Sequence, residues 1–312
     1  MPAQPDPGRQ AATETGTGTD AGPRHHGVVI VNYGRQTLVE DSTGRLVRCV
    51  ARRGLEQIVC GDEIEWLPTG RQEGVVESLA PRRSVLNRAD SGNKLRPLVA
   101  NIDQVIIEAA QEPALDLFLL DKYTVAAELA HTGALIVINK SDLLTPEARS
   151  GIETQLGDYT ALGYVVLFTS ALHNTGIEAF ADCLAGKTSI LVGQSGVGKS
   201  SLIKRLLPDR DITIGMLSTA SGLGRHTTTA TTLYHLPCGG RLIDSPGVRD
   251  FRLGEVSAAE LGSGFREFRP YQGHCRFNDC RHVAEPGCAV RAALAAGRIS
   301  ARRMESYLRL LP

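Results

Sequence analysis

From Asn101 onward, short apolar runs alternate with helix-length stretches, and this alternation constrains the fold more than any other feature. "QVIIEAA", "ALIVINK", "YVVLFTS" and "TSILVGQ" read as strands. "DLFLLDKYTVAAELAHTG", "PEARSGIETQLGDYTALG" and "TGIEAFADCLAG" read as helices between them. Strands without a polar face need cover on both sides, which implies a parallel sheet between helical layers. In such sheets ligands collect at the carboxyl ends of the strands. The residues that follow each apolar run are therefore where chemistry is expected.

"GQSGVGKS" follows one such strand and opens the helix "KSSLIKRLL". It fits G-x-x-x-x-G-K-[ST] through Gly193, Gly198, Lys199 and Ser200. Glycines let backbone N–H groups curl around phosphates, and the helix N-terminus adds a favourable dipole. The expected cradle is Gly193, Gln194, Ser195, Gly196, Val197, Gly198, Lys199, Ser200 and Ser201. Lys199 is expected to reach the β- and γ-phosphates and Ser200 to ligate Mg²⁺.

"NKSD" follows "ALIVI", upstream of the phosphate loop rather than downstream as in ordinary small GTPases. Asp142 can accept hydrogen bonds from the N1–H and exocyclic amine of guanine, a donor pair that adenine lacks. Asn139 is expected at the base's other edge, the Lys140 stem over its face, and Ser141 between them. In "FTSAL", Ser170 and Ala171 follow another strand, where a backbone N–H can meet guanine O6.

"RLIDSPG" places Asp244 and Gly247 at a strand end in a D-x-x-G arrangement: Asp244 toward Mg²⁺ through water, Gly247 N–H toward the γ-phosphate. Between this and the phosphate loop, "GRHTTTATT" offers Thr228 as a hydroxyl for Mg²⁺, with Thr227 and Thr229 as alternatives. The residue after Gly247 is Val248, which cannot orient an attacking water as a Gln would. Slow intrinsic hydrolysis is the expectation, with His226 the candidate to supply the missing group.

Cys275, Cys280, His282 and Cys288, spaced C-x4-C-x-H-x5-C, fall within fourteen residues. Three thiolates and an imidazole form a closed tetrahedral set, the pattern of structural zinc. Around it lie Arg266, Arg269, Arg276, Arg281, Arg291, Arg298, Arg302, Arg303 and Arg309, interleaved with Phe265, Phe268, Tyr271 and Phe277. That texture reads as an RNA-facing surface. The final stretch, "AVRAALAAGRISARRMESYLRLL", has a helical pattern.

Before Asn101 the texture is different. Short alternating strands such as "GVVIVNYG" and "TLVEDSTGRLVRCVA" suggest a small all-β barrel. Residues 1–26 are rich in Pro, Gly, Thr and Ala and read as a disordered tail with no secretory core. Formal net charge is zero, so contact with a polyanion has to come from local patches. No apolar run approaches the roughly 20 residues of a membrane span. With an odd count of seven cysteines, a reducing cytoplasm fits better than a disulfide framework.

The barrel, the linear order NKSD, TSA, GQSGVGKS, GRHTTT, DSPG, and the Cys/His spacing together resemble the bacterial ribosome small subunit-dependent GTPase A family. The resemblance covers residues 27 to about 295. It implies an OB-fold over 27–84, a linker over 85–98, a circularly permuted α/β P-loop GTPase over 99–252 and an α-rich zinc-binding domain over 253–312. It further implies a monomeric, membrane-free late assembly factor of the small ribosomal subunit that contacts rRNA. Its hydrolysis of GTP to GDP and phosphate would be stimulated by the subunit, with catalytic roles at His226 and Thr228 and Mg²⁺ held by Ser200, Thr228 and Asp244. The alternative is an RNA-binding scaffold tuned by nucleotide, in which hydrolysis is incidental. Because Gly247 leads almost directly into the Cys/His region, nucleotide state is expected to act on that domain.

Overall fold

The structure, a computed structural model, describes residues 23–34, 36–90, 92, 94–209, 230–245, 253 and 256–312. Strands β1 (His25–Asn32), β2 (Gln36–Asp41), β3 (Leu46–Ala51), β4 (Glu63–Gly70) and β5 (Glu73–Leu79) run in spatial order β1-β2-β3-β5-β4. Strand β4 returns to pair with β1 and closes a barrel of OB type. Alternation turns Val29, Val39, Val47, Ile64, Trp66 and Val76 inward. The "EDSTGRL" turn closes on Asp41, whose Oδ1 accepts the Thr43 and Arg45 N–H groups.

Two boundaries differ from the sequence reading. His25 and His26, assigned by composition to the tail, open β1 opposite Trp66 and Glu65, and His25 stacks on Trp66 at 4.8 Å. The stretch read as a linker forms a hairpin, β6 (Val85–Ala89) and β7 (Leu95–Ala100). Asp90 organises its turn, accepting N–H bonds from Gly92 and Lys94. Leu86, Leu98 and Val99 then join the main core.

The central unit contains β8 (Gln104–Ala109), α1 (Leu117–Leu129), β9 (Gly133–Ile138), α2 (Pro146–Gln155), α3 (Gly157–Ala161) and β10 (Val165–Phe168). It continues with α4 (Ile177–Leu184), β11 (Thr188–Gly193), α5 (Lys199–Leu206), β12 (Thr232–His235) and β13 (Arg241–Asp244). The helix expected over "PEARSGIETQLGDYTALG" is two, separated at Leu156. Spatial order is β10-β9-β8-β11-β13-β12, parallel except for β12. Strand β12 also bridges to barrel strand β1 at Thr232↔Val31, so barrel and sheet form one continuous eleven-stranded sheet.

The C-terminal unit has α6 (Ala258–Ser263), a 3-10 segment Arg266–Tyr271, α7 (Ala289–Ala295) and α8 (Ala301–Leu310). The single helical pattern of the C-terminus breaks at Gly297, whose φ of 69° is left-handed. Helix α1 explains how this unit attaches. Its apolar residues do not fall in one stripe, and it is covered on two sides, with Asp121 and Glu128 buried among its neighbours. Leu120, Tyr123 and Ala127 face the sheet core, while Val125 belongs to the C-terminal core with Phe265, Phe268 and Tyr307.

Candidate functional site

The phosphate loop links β11 to α5. Gly193, Gly196 and Gly198 take φ values of 147°, 88° and 116°, a region that side chains rarely adopt. Space is as restrictive as angle: a Cβ on Gly193 would lie 2.2 Å from Glu108 O, and one on Gly198 2.2 Å from Asn139 Nδ2. Lys199 Nζ donates to Gly193 O at 2.7 Å and to Gln194 O, folded back over the loop. Ser200 and Ser201 follow in the first turn of α5.

Lys140, with φ of 58°, turns the chain sharply after β9, and its Nζ donates to Glu112 O at 2.8 Å. Ser141 N donates to Thr169 O at 2.9 Å, joining the base-reading loop to the one after β10. A hydrogen bond from Ser170 holds the Asp142 carboxyl below its ordinary value, so it stays an acceptor. Arg205 on α5 binds Ala171 O at 2.5 Å and Leu172 O at 3.0 Å. The structure thus brings NKSD, TSA and the phosphate loop to one edge of the sheet.

Asn139 is held by the protein itself in this structure. It is 1% exposed, and its amide is fully engaged within the protein. Nδ2 donates to Glu108 Oε1 at 2.9 Å and Val197 O at 3.2 Å, while Oδ1 accepts from Thr169 Oγ1 and Ala171 N, each at 3.3 Å. An amide has two N–H donors and one oxygen, so here Asn139 ties three loops together. Its partner Glu108, at the end of β8, went unnoticed in the sequence. The available signal was a lone acid near the end of a strand that is apolar from Val105 to Ile107.

Asp244 ends β13, beside β11 and therefore beside the phosphate loop. Ser245 follows, 8% exposed. The expected contributors His226, Thr228 and Gly247, with Thr227, Thr229 and Val248, lie outside the described residues.

The Cys/His set does assemble. The ligand atoms of Cys275, Cys280, His282 and Cys288 all lie within 4.8 Å of one another. Cys275 Sγ is 3.6 Å from His282 Nδ1 and 3.9 Å from Cys288 Sγ, and His282 Nδ1 is 3.3 Å from Cys288 Sγ. A tetrahedral ion with metal–sulfur bonds of ~2.3 Å and a metal–nitrogen bond of ~2.1 Å needs edges of about 3.6–3.8 Å. The set therefore fits a four-coordinate metal. Burial lowers the His282 pKa and favours the neutral imidazole that ligation requires.

The arginine-rich reading of this region needs correction in part: Arg276, Arg281, Arg291, Arg298 and Arg309 are exposed, but four others are tied up in ion pairs and two of the rings are buried. Phe265 and Phe268 are fully buried. Arg303, 1% exposed, binds Glu267 at 2.6 Å and Asp121 of α1 at 2.6 Å, and Arg302 binds Asp121 at 2.8 Å. Arg266 and Arg269 converge on Glu128, about two turns further along the same face of α1, at 2.6 and 2.5 Å. These four arginines fasten the C-terminal unit to α1. Arg276 and Phe277 remain at the surface of the metal loop, the guanidinium 5.6 Å from the ring centre.

A sheet whose carboxyl edge carries the G-x-x-x-x-G-K-S and N-K-x-D motifs, with the latter earlier in the chain, has the arrangement of a circularly permuted P-loop GTPase. Residues 79–254 match the family model described as RsgA GTPase. The relative named "Small ribosomal subunit biogenesis GTPase RsgA" from Chromohalobacter salexigens is 49% identical over 92% of this chain and 86% of its own length. The relative of the same name from Azotobacter vinelandii is 45% identical over 96% and 89%. Among solved structures, YjeQ from Thermotoga maritima matches with a TM-score of 0.75 at 32% identity, covering 92% of this chain and 97% of that one. YloQ, titled a circularly permuted GTPase, matches in fold with a TM-score of 0.71 at 24% identity, over 93% and 95%. The chain belongs to the RsgA GTPase family and is a GTP-hydrolysing enzyme. No helix among the described residues is long and apolar enough to cross a membrane.

Proposed function

We propose that this chain acts in the maturation of the small ribosomal subunit, hydrolysing GTP to GDP and phosphate with stimulation by that subunit. The observation that carries the reading is the convergence of NKSD, TSA, GQSGVGKS and Asp244 at one sheet edge, in a chain whose relatives are named for small-subunit biogenesis. Residues 193–201 would cradle the phosphates, and Asn139, Lys140, Ser141, Asp142, Ser170 and Ala171 would form the guanine site, with Asn139 also tying its loops together. Ser200 and Asp244 would hold Mg²⁺, whose role is to neutralise phosphate charge. Thr228, Gly247 and His226 are assigned on sequence alone, as Mg²⁺ ligand, γ-phosphate contact and water-orienting group.

We assign the closed Cys₃His set to structural zinc, since softness and a complete tetrahedron favour that ion and leave no open position for catalysis. The exposed Arg276–Phe277 pair is suited to an RNA phosphate and base. A monomer in the cytoplasm is the state consistent with this role. Co-sedimentation with purified small subunits tests it: retention with a non-hydrolysable GTP analogue and release with GDP is expected, and equal sedimentation with both overturns it.

A further inference from the structure

Glu108 is an acid in a place where the sheet has no other use for one. It is 1% exposed at the carboxyl end of β8, directly beneath the phosphate loop. Its backbone oxygen sits where a Cβ on Gly193 would go, and its side-chain Oε1 lies 3.2 Å from where one on Gly198 would go. The same Oε1 accepts from Asn139 Nδ2 at 2.9 Å. Its other oxygen, Oε2, is buried and meets no hydrogen-bond partner among the described residues.

We propose that Glu108 is a positioning residue for guanine-nucleotide binding, fixing the Asn139 amide so that the base-reading and phosphate loops keep one register. Asn139 reaches Val197 O on the phosphate loop and Ala171 N on the TSA loop. The orientation that satisfies both needs an acceptor for its second N–H. Glu108 supplies that acceptor. Without it a buried N–H loses its partner, a cost the amide can escape by rotating and so releasing the other two loops. An apolar residue would fill the strand end equally well and bury no orphan oxygen, so bulk is not the reason for an acid here. Burial pushes the carboxyl up to about 7 against the pull of Asn139, Lys199 and Lys140. Either protonation state leaves Oε1 able to accept.

This rests on the nucleotide-site reading above, and the test separates the two. GDP binding is titrated with a fluorescent analogue for the wild type, Glu108→Leu, Glu108→Met, Glu108→Gln, Asn139→Ala, Asn139→Ala with Glu108→Leu, and Lys199→Ala. Glu108→Leu and Glu108→Met are expected to weaken binding about tenfold, the scale of one buried hydrogen bond. Glu108→Gln, which keeps an acceptor, recovers most of the affinity. In the Asn139→Ala background Glu108→Leu adds little, because the two act as one unit. Wild-type affinity in whichever of the Leu and Met variants folds overturns the proposal, as does a full additional loss in the Asn139→Ala background. Unchanged binding by Lys199→Ala would instead sink the nucleotide-site reading, and the proposal with it.

Discussion

The Thr231 and Ser245 hydroxyls lie 2.8 Å apart. Thr231 sits just before β12 and Ser245 just after Asp244, so this bond joins the roots of the two segments that the sequence marks as responsive to the γ-phosphate. Strand β12 also pairs with the barrel at Val31, and His235 on β12 meets Glu40 at 2.7 Å. The sequence led toward the C-terminal domain as the receiver of nucleotide state. The barrel is attached to β12 as well, and the C-terminal unit is held on α1 by ion pairs to Asp121 and Glu128.

If that bond couples the two strand ends, Thr231→Val and Ser245→Ala should each cost about 1 kcal/mol in urea unfolding, the net value of one hydrogen bond. The double variant should cost little more than either single one. Additive losses would show the hydroxyls to be independent.

Breaking the α1 anchor should be far more damaging. Arg303→Ala leaves Glu267 buried without its cation and Asp121 with Arg302 alone, and a loss of about 3–5 kcal/mol is expected. Hydrogen exchange should show lost protection first in α6 and α8. A change below about 1 kcal/mol would mean that the network is dispensable.

Asp142→Asn should weaken GTP binding by about a hundredfold or more, since the donor pair of guanine loses its acceptor. Xanthine nucleotides, which carry an oxygen in place of the amine, should gain affinity. Competition binding with GTP, ATP and XTP reads both changes, and unaltered preference would remove Asp142 from the base site.

The buried Glu108 predicts a pH effect on stability. Its carboxyl is raised to about 7 from an ordinary 4.5. Below the ordinary value both folded and unfolded chains hold the proton and there is no penalty. Between the two values the unfolded chain ionises first, so stability falls as pH rises and levels off above 7. The full difference is about 3 kcal/mol. Glu108→Gln should therefore stabilise the chain at about pH 8, with the advantage shrinking toward about pH 4.5. An advantage that does not change with pH would contradict this.

Removing the metal should unfold only part of the molecule. Metal analysis should give one ion per chain, lost in Cys288→Ser. Chelation should expose residues 253–312 to protease while GDP affinity changes by less than about threefold, because no site residue depends on the ion. Loss of GDP binding on chelation would show that the two sites are coupled.

The parallel sheet and its loops were legible because each signal is local. Gly193, Gly198, Lys199 and Ser200 stand at fixed spacings between an apolar strand and a helix, and the four metal ligands fall in one short run. What the sequence did not disclose depends on distant partners. Arg302 and Arg303 find Asp121 some 180 residues away, and Arg266 finds Glu128 138 residues away. No local pattern separates such arginines from RNA-binding ones. His25 joins the barrel only through Trp66, and the role of Glu108 appears only once β8 lies beside β11. Helix α1 carried a visible clue, its apolar residues being spread around the helix instead of along one stripe, which called for a second covering layer.

The central claim is that this enzyme's hydrolysis is tuned to the small ribosomal subunit. It is tested most directly by phosphate release from GTP with and without purified small subunits. A rise in rate of about tenfold or more is predicted, with large subunits inert; accelerations of this kind lie within the range seen for trans-acting activators. Equal rates with and without small subunits, at a concentration where the chain is bound to them, would contradict the account.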